Sequence, residues 1–260
     1  MIGRQNWEMV AAVALSMASL AACSNGSSIS NSSALLGAIS SQSDTASAQE
    51  KFDPFRDENI RDYGRREVIE NPTLAQVMEP GPLPERSIGR ADAPVTMIKY
   101  ASMTCPYCRQ FQVETFPVIK QKYIDTGKLR FILREFPIGY QSGAATIALR
   151  CAEPEKYFAL YDKLMRQQRT WVSQAVRRDP IFRVAKQVGM TRGQFDACFA
   201  DKTLAEQLNT TKERGRKLGV IGTPNFFVNG RLIKRRLTTS DIHKLISKEL
   251  EKPVSSVKNG

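Results

Sequence analysis

The sequence predicts an α/β domain in which a β-α-β unit is followed by a β-β-α unit, with a helical subdomain inserted between them. Two local patterns carry this prediction. Cys105-Pro106-Tyr107-Cys108 lies between a short apolar run and a segment with helical spacing, and Asn229-Gly230 lies between two further apolar runs. The length supports one folded unit, since 260 residues of which 42% are hydrophobic can bury one large core.

Residues 1–22 are interpreted as a secretory signal peptide. A basic residue, Arg4, precedes the apolar run Met9 to Leu20, which is followed by small residues. The run is too short to predict a membrane span. Leu20-Ala21-Ala22-Cys23 resembles the lipobox of bacterial lipoproteins, and this resemblance implies that Cys23 carries a lipid. The alternative is an ordinary signal cleaved before Cys23, which would leave a free thiol.

The next two segments are predicted to precede the folded domain. Residues 23–50 are rich in Ser, Ala, Gln and Asn and are expected to form a flexible tether. Residues 51–86 are interpreted as a helical extension and a linker, with a break at Asn71-Pro72-Thr73 before a short second helix. Glu79 to Pro84 is rich in helix breakers, so the compact domain is expected to begin near Ser87.

The elements of the domain follow from periodicity and turn residues. The predicted strands are Val95 to Tyr100, Leu129 to Leu133, Asn225 to Val228 and Arg231 to Lys234, and the predicted helices flanking them are Pro106 to Thr126 and Thr238 to Leu250. Residues 143–217 repeat a helical spacing and contain no convincing strand pattern. We therefore expect an α/β domain built from residues 87–142 and 218–251, a helical insertion at 143–217 and a tail at 252–260.

The charge balance does not favour nucleic acid as a partner. The net charge is +12, but the basic residues are spread through the chain and are not interleaved with aromatic residues on one face. A well-solvated basic surface, with weak attraction to anionic lipid headgroups, explains the composition more simply.

The Cys-Pro-Tyr-Cys sequence has the spacing of a dithiol redox centre. Cys105 is expected to cap the start of a helix, where free N–H groups and the helix dipole lower the pKa of a thiol. Cys108, one turn further along, is then placed to attack a mixed disulfide formed by Cys105 and to release the substrate. Pro106 presets the backbone angle of the first helical position without wasting a donor.

These features together resemble the thioredoxin superfamily, and most closely its periplasmic disulfide oxidoreductases of the DsbA type. The resemblance covers residues 87–250 and includes Gly222-Thr223-Pro224 before the last hairpin. It implies a thioredoxin-like fold, with Cys105 as nucleophile and Cys108 as resolving thiol. It also implies a cis peptide bond at Thr223-Pro224 that faces the sulfurs and pairs with an extended substrate backbone.

Three positions leave the direction of electron flow open. Tyr107 and Thr223 are more similar to reductase and isomerase relatives than to the commonest oxidases. Lys99 stands six residues before Cys105, where the superfamily often has a buried acidic group. A buried Lys99 would favour the Cys105 thiolate and make the protein a stronger oxidant. The alternative is that its ammonium points to solvent and has no role.

The two cysteines of the predicted insertion, Cys151 and Cys198, each have apolar neighbours. An oxidising compartment favours a structural disulfide between them. The alternative is two separately buried thiols.

Other chemistries of a cysteine pair have weaker support. Zinc requires about four N or S ligands, whereas the chain has five cysteines and one histidine, His243, in the predicted last helix. Haem attachment requires a histidine directly after the second cysteine, where Arg109 stands. We predict no metal site and no cofactor, although a two-thiolate copper(I) site remains an alternative.

The sequence thus predicts an enzyme, a thiol:disulfide oxidoreductase of the periplasm or cell envelope that is anchored to a membrane by lipid. Its expected substrates are unfolded or folding proteins that contain cysteines, and a membrane redox partner is expected to re-oxidise it. Oxidation of substrates is the favoured direction. The alternatives are disulfide reduction or isomerisation by the same fold, or a copper-binding or adaptor lipoprotein.

Overall fold

The computed structural model describes residues 67–252. The predicted signal peptide, the tether, Cys23 and the tail from residue 253 lie outside the described residues. Within residues 67–252, no helix has both the length and the apolar character that crossing a membrane requires.

A five-stranded mixed sheet forms the centre of the domain. Its strands are β1 (Arg86–Ile88), β2 (Val95–Ala101), β3 (Leu129–Glu135), β4 (Asn225–Val228) and β5 (Arg231–Ile233), in the spatial order β1-β3-β2-β4-β5. Strands β2 and β3 run parallel, with Val95 opposite Leu129, and the other pairs are antiparallel. Strand β2 is therefore central, as expected for a β-α-β unit joined to a β-β-α unit.

The two long strands are longer than their sequence patterns predict, while the short edge strand was not predicted. Strands β2 and β3 are buried on both faces, which explains their nearly continuous apolar sequences. The ladder extends each of them to Ala101 and Glu135 through backbone pairing. Strand β1 has three half-buried residues, too few for an alternating pattern to be visible, and it is held by its antiparallel pairing with β3.

The helical segment after β2 is continuous but irregular. It consists of α2 (Pro106–Gln110), a π-helical turn (Phe111–Thr115), α3 (Phe116–Ile119) and a second π-helical turn (Lys120–Ile124). Pro117 has no N–H to donate, and the N–H of Phe116 bonds five residues back to the carbonyl of Phe111. The sequence predicted one helix here, and periodicity alone did not reveal the π-helical turns.

Residues 136–224 carry helices and no strand. The helices are α4 (Tyr140–Arg150), α5 (Tyr157–Arg166), α6 (Gln168–Trp171), α7 (Arg178–Ala185), α8 (Arg192–Ala200) and α9 (Lys202–Lys217), with 3₁₀ turns at Pro154–Lys156 and Lys186–Val188. Cys151, directly after α4, forms a disulfide with Cys198 of α8, with their Cα atoms 6.2 Å apart.

The last hairpin is closed by Asn229 and Gly230, whose φ angles are 45° and 84°. The Asn229 side chain accepts from the N–H of Thr96 at 2.8 Å, so the turn is also tied to β2. Two capped helices flank the sheet: α1 (Leu74–Met78) begins after Thr73, and α10 (Thr239–Leu250) begins after Thr238.

The core occupies both faces of the sheet. On one face, Met97, Phe131 and Phe226 pack with Phe111 and with the inserted helices. On the other face, a smaller cluster contains Ile98, Tyr100, Ile132, Phe136, Leu218, Val220, Phe227 and Val77 of α1. The strand that precedes Cys105 is thus enclosed on both sides, which holds the start of α2 in a rigid frame.

Candidate active site

Cys105 is the N-cap residue of α2. Its sulfur accepts a hydrogen bond from the backbone N–H of Cys108 at 3.3 Å, and Pro106 occupies the first helical turn. The backbone at Cys105 is extended, with φ −71° and ψ 120°, as an N-cap requires. The expected geometry at the strand-to-helix junction is therefore present.

The environment of Cys105 favours its thiolate. Hydrogen bonding with the Cys108 side chain lowers the pKa of Cys105 to about 6, and hydrogen bonds from the Thr223 side chain and from two backbone N–H groups act in the same direction. Burial opposes this shift, since Cys105 is half-buried. The nucleophile expected from sequence is thus both ionised near neutral pH and accessible.

Cys108 has the opposite character. It is buried, and this burial, followed by its hydrogen bond with Cys105, raises the pKa of Cys108 well above its ordinary value. Both cysteines are free, so the structure is that of the dithiol. A buried thiol with a raised pKa stays protonated near neutral pH and is a poor nucleophile.

The Thr223-Pro224 peptide bond is cis and lies at the reactive sulfur. The Cys105 sulfur is 3.2 Å from the carbonyl oxygen of Thr223, to which it donates when it is protonated. Pro224 and Asn225 lead directly into β4, which pairs with β2. The sheet therefore brings together two motifs that are more than a hundred residues apart in sequence.

Lys99 is completely buried in β2, so the alternative in which its ammonium points to solvent is wrong. Its Nζ donates to the Tyr161 hydroxyl at 3.1 Å and to the Cys108 carbonyl oxygen at 3.3 Å. Nζ also lies 4.2 Å from the centroid of the Phe111 ring. Burial lowers the pKa of Lys99 to about 8, and the charges of Cys108 and then Cys105 oppose this shift.

Pro106 and Tyr107 are exposed at the rim of the site. The Arg236 guanidinium lies 4.4 Å from the centroid of the Tyr107 ring, a cation–π contact. Tyr107 and Pro224 also line an open groove of 510 Å³. The groove therefore lies beside the helix that Cys105 begins and has the cis-proline in its wall.

Sequence reasoning missed the polar residues that support the site. Buried Gln168 donates to the carbonyl oxygens of Met103 at 2.7 Å and of Cys105 at 3.1 Å. Buried Ser142 accepts from the N–H of Met103 at 3.0 Å. Both residues belong to the inserted helices, and no local pattern marks a residue whose partner is a distant backbone group.

A second feature that the sequence did not predict is a buried ionic cluster at the end of β3. Glu135, at the end of β3, is 2% exposed and pairs with Arg150 of α4. The Tyr157 hydroxyl of α5 donates to Glu135 at 2.5 Å. This cluster joins the sheet to two inserted helices.

Histidine and carboxylate groups do not assemble a further centre in the described chain. Within residues 67–252, no group of three or more His, Cys, Asp or Glu side chains has a metal-binding arrangement. His243 contacts the Tyr123 hydroxyl through Nδ1 at 2.8 Å.

An accessible, ionised thiol above a buried thiol, at the start of the helix after a central strand and opposite a cis-proline, defines a dithiol protein of the thioredoxin fold. The family model described as thioredoxin matches residues 83–248, and the chain belongs to that family.

Among curated proteins, the chain is similar to several disulfide-exchange proteins. A putative protein-disulfide oxidoreductase of Rickettsia bellii is 32% identical over 172 residues, which cover 65% of this chain and 66% of that protein. A probable disulfide bond formation protein D of Bacillus cereus is 29% identical over 174 residues, which cover 65% of this chain and 80% of that protein. The chain thus spans just under two thirds of the length of the rickettsial relative.

The chain is also similar to solved structures. Alpha-DsbA1 of Wolbachia pipientis matches with a TM-score of 0.62 and 28% identity, over 71% of this chain and 98% of that one. Oxidised BdbD of Bacillus subtilis matches with a TM-score of 0.60 and 25% identity, over 65% and 94%. The DsbA-type resemblance stated from the sequence is confirmed.

Proposed function

We propose that the chain is a thiol:disulfide oxidoreductase that exchanges disulfides with cysteine-containing extracytoplasmic proteins. The observation that carries the proposal is the contrast between its two thiols. Cys105 is accessible and has a pKa of about 6, whereas Cys108 is buried and has a pKa well above its ordinary value. The names of the relatives, as protein-disulfide oxidoreductases and disulfide bond formation proteins, support it.

The exchange follows from this contrast. In the oxidised protein, a substrate thiolate attacks the Cys105 sulfur, the Cys105–Cys108 bond breaks, and Cys108 leaves as a thiolate that takes up a proton. A second substrate thiolate then attacks the substrate sulfur of the mixed disulfide, and Cys105 leaves. Because its pKa is about 6, Cys105 is a good leaving group near neutral pH.

Oxidation of substrates is the favoured direction. Hydrogen bonds that stabilise the Cys105 thiolate exist only in the reduced protein, so they stabilise the reduced state and make the disulfide a stronger oxidant. Reduction or isomerisation, suggested by Tyr107 and Thr223, requires a supply of electrons. The copper-binding alternative requires both sulfurs as thiolates, and the raised pKa of Cys108 disfavours it.

The membrane location belongs to the same proposal. A lipid on Cys23 and a flexible tether at residues 23–50 would hold the folded domain at the surface of a membrane. A membrane redox partner would then re-oxidise Cys105 and Cys108. Mass spectrometry of the mature N-terminus tests the lipid, since cleavage without a lipid at Cys23 would leave a free amino-terminal cysteine.

The central test is a pair of assays on wild type, Cys105→Ser and Cys108→Ser. Wild type should catalyse oxidation of reduced ribonuclease faster than reduction of insulin, and Cys105→Ser should do neither. Cys108→Ser should accumulate a mixed disulfide with insulin, because its Cys105 thiolate attacks an insulin disulfide and no resolving thiol is present. Tight copper binding without any ribonuclease oxidation would overturn the proposal.

A further inference from the structure

Lys99 is a buried basic residue, and the charged groups that affect its protonation are the two cysteines of the redox pair. It has no exposed surface, and its Nζ contacts are the Tyr161 hydroxyl, the Cys108 carbonyl and the Phe111 ring, all neutral groups. Within the described part of the chain, the charged forms that act on Lys99 are those of Cys108 and Cys105. A buried ammonium without a carboxylate partner is costly, so its protonation depends on these two sulfurs.

The elements around Lys99 contain few other titratable groups. Tyr161 of α5 has a pKa raised well above its ordinary value by burial, so its hydroxyl stays neutral. Glu135 and Asp162 act on the phenol of Tyr161 in that same environment. From α2, the groups that face Lys99 are the two cysteines.

The charge that favours the ammonium exists only in the dithiol state, where Cys105 is the thiolate and Cys108 stays protonated. When Cys105 and Cys108 form a disulfide, neither sulfur ionises, and burial alone acts on Lys99. We propose that Lys99 is a redox-linked proton site, protonated when the cysteine pair is reduced and neutral when the pair forms its disulfide. This inference rests on the proposed disulfide exchange and names the group that exchanges the second proton.

The electrons and protons of this reaction balance without a further reactant. Oxidation of two substrate thiols to a disulfide releases two electrons and two protons. The two electrons break the Cys105–Cys108 bond. One proton ends on Cys108 as its thiol, the other ends on Lys99 as its ammonium, and Cys105 remains a thiolate. The site therefore gains a buried ammonium together with the thiolate that it forms, and the reduction potential of the cysteine pair rises as the pH falls.

The test is the pH dependence of the equilibrium between the cysteine pair and glutathione, measured by alkylation from pH 6.5 to 8.5. If Cys108 alone takes up a proton, the constant changes tenfold per pH unit, or about 30 mV. Two glutathione thiols release two protons when they form a disulfide. If Lys99 also takes up a proton, no net proton is released, and the constant is independent of pH below pH 8. Wild type should therefore show the pH-independent constant and Lys99→Met the tenfold change per pH unit. Equal slopes would overturn the inference.

Two further measurements separate the alternatives. Lys120→Met removes an exposed lysine that pairs with Asp125 and should leave the wild-type slope unchanged. NMR titration of the Lys99 side chain in the full wild-type chain should give a lower pKa in the disulfide form than in the dithiol form, and it does not require the variant to fold. The same pKa in both forms would overturn the inference. If wild type does not exchange with glutathione at all, the proposed function fails instead.

Discussion

The Cys105 sulfur lies 3.2 Å from the carbonyl oxygen of Thr223, although 118 residues separate them in the chain. The contact exists because β4 pairs with β2, which brings the cis bond before β4 to the start of α2. The reactive thiol is therefore supported from two directions, by its own helix and by the Thr223-Pro224 bend. The protonation of Cys105 depends on both.

Removing the Thr223 hydroxyl should raise the pKa of Cys105. In Thr223→Val, the thiolate loses one hydrogen bond, and a net value of about 1 kcal/mol corresponds to a rise of just under one pKa unit from about 6. Absorbance of the thiolate at 240 nm against pH measures it. Thr210→Val, on the exposed face of α9, is the matched control. If Thr223→Val left the pKa of Cys105 unchanged, the Thr223 side chain would have no part in stabilising the thiolate.

The stability of the reduced protein should depend on pH through Cys105. Its pKa is lowered to about 6 on folding from an ordinary value of 9.0, so the folded state is stabilised above pH 9 and loses that stabilisation as the pH falls through 6. Urea unfolding of the dithiol form at several pH values measures the effect. The difference between wild type and Cys105→Ser should grow from pH 6 to 9. A difference independent of pH would contradict the lowered pKa.

Substitution of Gln168 should lower the stability of the protein more than substitution of its neighbour Gln167. In Gln168→Leu, the carbonyls of Met103 and Cys105 lose their donor inside the protein, at a cost of about 1–3 kcal/mol of unfolding free energy for an unsatisfied buried group. Thermal unfolding and the rate of Cys105 alkylation report the change. Gln167→Leu removes an exposed hydrogen bond with Gln187 and should change little. Equal effects of the two substitutions would argue against a supporting role for Gln168.

The Cys151–Cys198 disulfide should stabilise the fold without taking part in exchange. It closes a loop of 47 residues, and loop-closure entropy predicts a loss of about 4 kcal/mol in the double alanine variant. Denaturant unfolding measures the loss, and ribonuclease oxidation at 25 °C should persist. Loss of activity in a variant that remains folded would assign this disulfide a functional role.

Local patterns determined much of the fold. The apolar runs predicted β2, β3, β4 and β5, and Asn229-Gly230 predicted the tight hairpin that closes β4 and β5. These patterns depend on residues close together in sequence, so they can be recognised without the tertiary structure. The Cys-Pro-Tyr-Cys spacing predicted the N-cap position of Cys105 for the same reason.

Tertiary structure alone decided the rest. Strand β1 is visible only through its pairing with β3, and the Glu135 cluster only through two helices that converge on the end of that strand. The sequence did not decide whether the Lys99 ammonium is buried or exposed to solvent, because a lysine side chain is long enough to reach either. In the folded protein, Phe111 and Tyr161 contact the Lys99 ammonium and keep it buried. Burial and long-range contact set protonation, and neither is encoded in spacing along the chain.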